Sequence, residues 1–311
     1  MKILLCALMC VLCSAPLLAG TNGALRVGTY NIRFASGDWG GANDWNLREG
    51  DVSTLIRRLD MDVFGLQEVE PEQVRYLRES LPEYEIIGDH RNSDRISGEA
   101  SPVVYRKRRF AVVRCGTFWL SEKPDEAGSR GWGAFNPRVC TWAHLRDKLS
   151  GIEFCFLNAH PDSKNECARN NGMGLVLCKI RELVANGIPV VFVGDHNCRE
   201  TATAALLVAK HLQNAMLVSE TTPMGPWRTF NGWRWRDEEV SAEEMLKITA
   251  DVRNGDRELY DRCGGSRIDY IYVSPEVRVV RYETIAASRR NARRYPSDHF
   301  PVVATLSFTD R

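Results

Sequence analysis

Residues 191–197 read VFVGDHN, a β-type apolar run (Val191-Phe192-Val193) followed at once by Gly194, Asp195, His196 and Asn197. Charged and amide side chains beside a buried strand are costly unless they are hydrogen-bonded, ion-paired or bound to a metal ion. Taken alone, the segment is typical of a tight turn capped by its own side chains. Its meaning depends on whether the pattern recurs in the chain.

The same arrangement, a polar side chain beside a β-type run, recurs along the chain. If these runs end at one edge of a sheet, their polar groups form a cluster of carboxylates, amides and imidazoles that suits a hard cation. Each member alone is an ordinary turn or strand-end residue. The further members are Asn31, Glu68, His160, Asp269 and the pair Asp298-His299.

Short β-type runs alternate with helical ones, which favours a mixed α/β domain. Helices are predicted over 44–59 with Asp44 as the cap, from Pro71 onwards, and over 166–186 with Gly187 closing the helix. Strands are predicted at 25–34, 63–66, 102–105, 110–119, 141–145, 152–157, 189–193, 268–273 and 300–308.

Length and charge limit the classes of protein that the motifs can indicate. A chain of 311 residues that is 44% hydrophobic can bury one large core, so we expect a single domain over residues 25–311. The net charge of +1 gives no global field that would favour a long polyanion such as duplex DNA.

The first 24 residues have the layout of a secretory signal peptide: Met1-Lys2, an apolar run over 3–18, and small residues around Ala19 and Ala24. The run is too short for a membrane span, so we expect no stable membrane insertion. The signal peptide predicts a secreted or periplasmic protein, and we expect it to be a monomer. Seven cysteines follow this segment, an odd number without paired spacing, so no disulfide framework is expected.

Six segments together resemble the endonuclease/exonuclease/phosphatase superfamily, which includes DNase I-like nucleases. They occur in the order of that superfamily and span nearly the whole chain after the signal segment. The stretches 116–122 and 137–142 resemble a secreted bacterial branch of it. The six segments are TYNIR (29–33), LQEV (66–69), NAH (158–160), GDHN (194–197), RIDYI (267–271) and SDHFPV (297–302).

The resemblance implies a four-layer αββα sandwich of two mostly antiparallel sheets with helices outside. It also implies hydrolysis of a phosphoester by an activated water, with an oxygen-liganded Mg²⁺ or Mn²⁺ at the active site and no covalent enzyme intermediate. Glu68 would be the principal metal ligand, with Asn31 and Asp298 completing or orienting the ligand set.

The other roles that the resemblance implies are catalytic. Asp195 would position or deprotonate the attacking water, and Asn197 would hold that water and a phosphate oxygen. His299 would contact the scissile phosphate, with Asp269 accepting its other ring proton. His160 would stand near the leaving group, as a general acid or as an electrostatic contact.

Two further positions complete the comparison with the family pattern. Glu99 falls where relatives place a carboxylate that pairs with the histidine at 160. His196 stands where phenylalanine is usual, which favours a packing residue over an additional metal ligand. Pro161 follows His160 in place of the usual turn, so the leaving-group side differs from the family pattern.

Aromatic and basic residues alternate in two segments that could contact a substrate. Such side chains can stack on bases or sugars and bind phosphates, or they can form an ordinary lid and a solvated loop. We expect a phosphate-ester substrate, either a small molecule or a nucleic-acid end. The alternatives are an extracellular nuclease and a catalytically silent member that only binds. The two segments are 227–236, with Trp227, Arg228, Trp233, Arg234, Trp235 and Arg236, and the basic run 289–294.

Overall fold

The structure is a computed structural model that describes residues 24–184, 187–234, 240–254, 267–288 and 294–308. The predicted signal segment lies outside these residues except for Ala24, and so do Trp235, Arg236 and residues 289–293 of the basic run. The signal peptide and the single domain over 25–311 stay predictions.

Twelve strands in the described residues form two six-stranded sheets. In chain order they are β1 (Leu25–Asn31), β2 (Val63–Gln67), β3 (Tyr84–Ile87), β4 (Val103–Arg106), β5 (Phe110–Trp119), β6 (Val139–Asp147), β7 (Glu153–Ala159), β8 (Val190–Asp195), β9 (Gln213–Asn214), β10 (Asp269–Val273), β11 (Val277–Thr284) and β12 (Val302–Phe308).

Each sheet is mixed, with one parallel pair among antiparallel neighbours. The first has the strand order β11-β12-β1-β2-β4-β3, and only β1 and β2 run parallel in it. The second has the order β5-β6-β7-β8-β10-β9, with β7 and β8 parallel. In each sheet the two parallel strands therefore end at the same side at which their antiparallel neighbours begin.

Helices cover the outer faces of both sheets. The helices in the described residues are α1 (Glu49–Leu59), α2 (Pro71–Ser80), α3 (Glu166–Leu183), α4 (Thr203–Ala209), α5 (Ala215–Val218) and α6 (Ala242–Arg253), with short 3₁₀ helices at Ser36–Asp38 and Trp45–Leu47.

Three buried apolar clusters separate the four layers. Val27 of the first sheet and Phe156 of the second belong to the cluster between the sheets. A second cluster packs α1 and α2 on the first sheet, and a third packs α3 and α4 on the second. The protein is therefore the αββα sandwich that the sequence predicted.

The predicted helix over 44–59 is interrupted. Asp44 does act as a cap, accepting a hydrogen bond from the backbone N–H of Asn46, but the helix that it caps is the 3₁₀ turn Trp45–Leu47. Arg48 then breaks the helix, and α1 starts one residue later. The fully buried Arg48 guanidinium donates a hydrogen bond to the carbonyl oxygen of Ile32, so this break places a cation beneath the loop that follows β1.

The sequence pattern missed two strands on the first sheet, β3 and β11. Both lie at its edges; β3 has only four residues, and the alternation of β11 is interrupted by a register shift between Val279 and Arg281. Pro71 begins α2 as predicted, whereas α3 ends at Leu183, and Gly187 has a φ of 69° beyond it.

Two further predictions concern the whole chain. Among the described residues, no helix has both the length and the apolar character needed to cross a membrane. The six described cysteines are free, and Cys263 lies outside the described residues.

Candidate active site

The polar residues of the first sheet meet where its central strands β1 and β2 end. β1 ends at Asn31, and Glu68 directly follows the parallel β2. β12 runs antiparallel to β1, so the segment before it, with Asp298 and His299, comes to the same edge. The hydroxyl of Ser297 donates a hydrogen bond of 2.7 Å to the carbonyl oxygen of Asn31 and joins the two segments.

The second sheet brings its own polar residues to the same place. His160 follows β7, Asp195 ends the parallel β8, and Asp269 pairs with Asp195 across the antiparallel β10. Gly194, with a φ of 151°, allows a close approach, because a Cβ there would lie 2.0 Å from the carbonyl oxygen of Ala159. The prediction that these strand ends converge is confirmed.

Asn31 links the two sheets across the site. Its Nδ2 donates hydrogen bonds of 3.0 Å to Glu68 Oε1 and of 3.0 Å to Asp195 Oδ2. Its Oδ1 accepts a bond of 2.9 Å from the backbone N–H of Arg33. The amide nitrogen therefore faces the carboxylates, and in this arrangement Asn31 orients Glu68 instead of offering its oxygen as a metal ligand.

The turn after β8 holds Asp195 in a fixed orientation. The backbone N–H of Asn197, a residue with a φ of 50°, donates a bond of 2.9 Å to Asp195 Oδ1. Asn197 Nδ2 donates to the carbonyl oxygen of Pro161 at 3.1 Å and lies 3.3 Å from His160 Nε2. Burial, and then the charge of Asp269, raise the pKa of Asp195 to about 7. Asp195 is thus suited to exchange a proton near neutral pH.

His299 and Asp269 form a buried dyad. His299 Nδ1 donates a hydrogen bond of 2.9 Å to Asp269 Oδ2, and Nε2 lies 3.7 Å from Asp195 Oδ2. Burial opposes the charged ring, but the carboxylates of Asp269 and Asp195 outweigh it and raise the pKa of His299 to about 10. The ring is an imidazolium at neutral pH, and Nε2 can donate to a phosphate oxygen.

His160 is neutral, in contrast to the charged His299. Burial, and then the positive charge of Arg138, lower its pKa well below the usual value. Its Nδ1 lies 3.5 Å from Asp195 Oδ2, and its Nε2 lies 3.9 Å from Glu68 Oε1. The ring is neutral in the free protein, so of the two roles implied for it, a contact through a neutral ring agrees better with the site than a charged general acid.

Arg33 is a site residue to which the sequence reasoning assigned no role. Its Nη1 lies 3.8 Å from Glu68 Oε2, and its Nε lies 4.0 Å from Asp298 Oδ2 and 3.0 Å from Asp38 Oδ2. It thus separates Glu68 from Asp298, and Asp298 is engaged with this guanidinium. The only signal in the sequence was its place within the TYNIR segment.

The expected pairing of Glu99 with His160 was wrong. Glu99 Oε2 lies 2.8 Å from Arg91 Nη1 and 3.8 Å from Arg138 Nη1. Two guanidiniums attract a carboxylate more strongly than a neutral imidazole does, so Glu99 is directed to the arginines.

One group of side chains in the site fits a divalent cation. Ligand atoms of Glu68, His160 and Asp195 all lie within 4.8 Å of one another, whereas the expected set was Glu68, Asn31 and Asp298. Burial, and then the charges of Asp298 and Glu99, raise the pKa of Glu68, and a bound cation would favour its ionised form. Carboxylate oxygens with one imidazole suit Mg²⁺ or Mn²⁺.

His196 packs as an aromatic ring, as predicted. Its ring stacks on Phe192 at 4.8 Å and on Tyr272 at 5.6 Å between ring centroids. Both ring nitrogens are buried without a hydrogen-bond partner, and burial lowers its pKa to about 3. His196 is absent from the metal-ligand groups of the described residues.

The aromatic and basic segment over 227–236 is not uniformly a substrate surface. Trp227 is 2% exposed and belongs to the core between the sheets, and Arg228 is 9% exposed. Trp233 is half-buried, with the Arg48 guanidinium 5.6 Å from its ring centroid. The part of this segment that the structure describes is largely a structural core, which is the second of the two interpretations above.

The chain is similar to known phosphoesterases along most of its length. The sequence profile of the endonuclease/exonuclease/phosphatase family matches residues 28–299. Tyrosyl-DNA phosphodiesterase 2 of Rattus norvegicus is 24% identical over 285 residues, which make up 89% of this chain and 67% of that protein.

Two solved structures from Bacteroides thetaiotaomicron are each 32% identical to the chain. The first, an endonuclease/exonuclease/phosphatase family protein, has a TM-score of 0.79 and covers 92% of this chain and 98% of its own. The second, a mannosyl-6-phosphatase, has a TM-score of 0.78 and covers 91% of this chain and 100% of its own.

Proposed function

The chain belongs to the endonuclease/exonuclease/phosphatase family, whose members are phosphoester hydrolases, and we propose that it hydrolyses a phosphoester with the help of Mg²⁺ or Mn²⁺. One observation carries the proposal. Asp195, with a pKa of about 7, lies beside the His299 imidazolium and the candidate metal-ligand group, where strands of both sheets end.

Asp195 is the group placed to accept a proton. Its carboxylate is held by the N–H of Asn197 and by Asn31 Nδ2, so the oxygen that faces an incoming water is fixed in position. A carboxylate with a pKa of about 7 is a stronger base than an exposed aspartate and is still largely deprotonated above that pH.

His299 supplies positive charge to the phosphoryl group. Its Nε2 proton points towards the Asp195 side of the site, while Asp269 holds the ring through Nδ1. Negative charge that develops on the phosphoryl oxygens in the transition state would be stabilised by this imidazolium. Asn197 Nδ2 can donate to the same group of oxygens once it leaves the carbonyl oxygen of Pro161.

Glu68, with His160 beside it, would hold the divalent ion, and Asp195 borders this group as the base. Such an ion, when bound, neutralises charge on a phosphoryl or leaving-group oxygen. Arg33 adds a second positive charge, with its guanidinium 3.8 Å from Glu68 and 4.0 Å from Asp298. The residues present are therefore sufficient for a metal-assisted hydrolysis.

A catalytically silent binding member of the fold would not need the buried His299–Asp269 dyad, which costs desolvation of two charged groups. An extracellular nuclease is compatible with the site, although the net charge of +1 does not favour it. The enzyme is therefore the better supported candidate.

The test is hydrolysis of p-nitrophenyl phosphate and bis-p-nitrophenyl phosphate by the protein without residues 1–24, with Mg²⁺, with Mn²⁺ and with EDTA. The control is Asp195→Asn, which keeps the shape of the side chain. Metal-dependent release that is lost in the variant supports the proposal. Silence on both esters, on nucleic acids and on sugar phosphates would leave the binding member as the better account.

The proposal extends to the location of the protein. The apolar run over 3–18 and the small residues after it support export to the periplasm or the medium. Expression of the full chain in a Gram-negative host, followed by fractionation and intact-mass measurement, checks this. A cytoplasmic protein that retains residue 1 would contradict it.

A further inference from the structure

Three charged side chains beside the site take no part in the mechanism above. Arg91 and Arg138 both face the carboxylate of Glu99, at 2.8 Å and 3.8 Å from Oε2. The three side chains are 14%, 11% and 15% exposed, for Arg91, Arg138 and Glu99 in that order. This triad of Arg91, Glu99 and Arg138 has two guanidiniums for one carboxylate, so it carries one net positive charge.

The Glu99 side of the triad adjoins the metal-ligand group. Ala100, which follows Glu99, forms a bridge with Val69, and its N–H donates to the Val69 carbonyl oxygen at 2.7 Å. Val69 itself follows Glu68. The loop that carries Glu99 is therefore fixed next to the principal candidate ligand.

Arg138 lies beside the part of the site that the second sheet provides. Cys140 pairs with Ala159 in the antiparallel β6–β7 ladder. Arg138 precedes Cys140 by two residues, so it comes level with the residues that follow Ala159, the first of which is His160. The lowered pKa of His160, to which the Arg138 charge contributes after burial, agrees with this proximity.

Arg138 is the member of the triad that is free to contact a ligand. Its Nε is buried and has no hydrogen-bond partner within the described part of the chain, and its ion pair with Glu99 is long at 3.8 Å. Arg91 also has a buried nitrogen without a hydrogen bond, Nη1, but its ion pair with the same carboxylate is shorter, at 2.8 Å. A buried guanidinium N–H without an acceptor is costly, and a phosphate oxygen is the acceptor that its geometry suits best.

The charge balance of the site indicates which phosphate. Four carboxylates (Glu68, Asp195, Asp269 and Asp298) face the His299 imidazolium and the Arg33 guanidinium, so a divalent cation brings these groups to neutrality and leaves no excess positive charge. A phosphomonoester carries a charge of about −1.5 to −2 at pH 7, whereas a diester carries one negative charge and lacks the third non-bridging oxygen. The extra oxygen and charge need an additional cation.

We propose, on the premise of the phosphoesterase function above, that Arg138 binds a non-bridging phosphate oxygen of the substrate and makes the site select phosphomonoesters over diesters. Glu99 and Arg91 are positioning residues that hold the guanidinium at this place. The ion pair with Glu99 limits the rotation of Arg138 and keeps its charge close enough to act on His160.

The experiment compares kcat/KM for p-nitrophenyl phosphate and bis-p-nitrophenyl phosphate, which share a leaving group, in the wild type, Arg138→Met and Arg138→Lys. Arg146→Met is the matched control, because Arg146 lies at the other end of β6 and its side chain is 55% exposed. We expect Arg138→Met to lower the monoester value by about 10- to 100-fold, the loss of one charge-assisted hydrogen bond, and the diester value by about 3-fold at most.

Arg138→Lys should recover part of the monoester activity, and it keeps the test valid if Arg138→Met does not fold. Competitive inhibition by inorganic phosphate should weaken in parallel with the monoester activity. Equal losses on both esters would overturn the proposal, because an effect on His160 or on the fold does not distinguish them. A wild type that prefers diesters would also overturn it while leaving the phosphoesterase intact, whereas a wild type inactive on every phosphoester would remove both.

Discussion

Three residues of the site have backbone conformations that L-amino acids seldom adopt. Arg33 and Glu68 each have a φ of 61°, and Asn197 has a φ of 50°. Each conformation is held by a hydrogen bond within the site, such as the one of 3.2 Å from the N–H of Phe34 to Glu68 Oε2. Strain of this kind persists where the surroundings fix it, and here it directs polar groups to one point.

The first prediction at this scale concerns the dyad. In Asp269→Asn, His299 loses the charge that raises its pKa to about 10, so the ring deprotonates at lower pH. Activity that needs the imidazolium is present below the folded-state pKa and is lost as pH rises through it. We expect the alkaline limb of kcat/KM to move to lower pH and the rate at pH 8 to fall by about 100-fold. A pH–rate profile between pH 6 and 10 measures this, and an unmoved alkaline limb would argue against the assigned protonation.

The second prediction concerns His196 and acid stability. Its folded-state pKa of about 3 lies below the unfolded value of 6.5, so its contribution to stability is complete above pH 6.5 and is lost as pH falls towards 3. Between pH 7.5 and pH 5 this residue should cost the wild type about 2 kcal/mol.

The variant His196→Phe keeps the ring stack on Phe192 and Tyr272 and removes the titrating group. Urea unfolding of both proteins at the two pH values should show that the variant loses about 2 kcal/mol less than the wild type over this range. Identical pH dependence in the two proteins would mean that His196 is not buried as a neutral ring.

The sequence indicated which residues meet at the site, but not the contacts that they make there. Asp195, Asp269 and His299 stand where the motifs placed them. The partner of Glu99 and the role of Arg33 depend on residues that are distant in the chain, and on backbone angles that side-chain types do not specify. The neutral state of His160 likewise comes from burial and from a guanidinium on another strand.

At the scale of elements, the turn after β8 is held against the start of β10 by a buried ion pair. Arg267, fully buried, is paired with Glu200 and donates a bond of 3.0 Å to the hydroxyl of Tyr282. The hydroxyl of Tyr270 donates to the Cys198 carbonyl oxygen at 2.8 Å and joins the same two segments. This clamp, formed by the ion pair and the two tyrosine hydroxyls, holds the segments that carry Asp195 and Asp269 together.

Glu200→Gln leaves the Arg267 charge buried without its counter-ion. We expect a loss of about 3 kcal/mol in the free energy of unfolding and a lower kcat, because the two segments that carry Asp195 and Asp269 are no longer held together. Thermal and urea unfolding measure the first effect. Glu220→Gln, which breaks the exposed pair with Arg278, is the control and should change stability by about 0.5 kcal/mol at most. Equal effects of the two substitutions would contradict the clamp.

The bounds of elements with a long, regular apolar pattern could be predicted from the sequence. The bounds of elements that depend on a single buried contact could not. The ends of β5 agree with the prediction, because its strand signal is long. The interruption at Arg48 follows from the burial of a guanidinium under the loop after β1, and the periodicity of 44–59 contains no sign of it. The edge strand β3 has only four residues, too few for its alternation to stand out in the sequence.

At the scale of the whole molecule, a polar network joins the two sheets beneath the site. Asn158 Nδ2 donates bonds of 2.8 Å to the carbonyl oxygens of Leu66 and Pro102, and Gln67 Nε2 donates to Asn158 Oδ1 at 2.7 Å. Gly65 provides the space, because a Cβ there would lie 2.4 Å from the Asn158 amide. The network fixes how the sheets align at the site.

Asn158→Ala removes a partner from three buried polar groups, although the Pro102 carbonyl oxygen still accepts from the Leu66 N–H and Gln67 Nε2 still donates to Thr29 Oγ1. A buried polar group that loses its partner costs on the order of 1–3 kcal/mol, so we expect the free energy of unfolding to fall by about 2 kcal/mol. Urea unfolding measures the change, and Asn171→Ala on the exposed face of α3 is the control. A loss of only about 0.5 kcal/mol would show that the alignment of the sheets does not depend on this network.

The central claim is that Glu68 holds a divalent ion that the hydrolysis requires. The most direct measurement is the rate of p-nitrophenyl phosphate or bis-p-nitrophenyl phosphate hydrolysis after EDTA treatment and stepwise return of Mg²⁺ or Mn²⁺, in the wild type, in Glu68→Gln and in Glu126→Gln, whose carboxylate is 60% exposed and pairs with Lys123. We predict that the ion restores the rate of the wild type and of Glu126→Gln, and that Glu68→Gln stays at least about 100-fold slower at every metal concentration. A metal-independent rate, or a Glu68→Gln variant as active as the wild type, would contradict the claim.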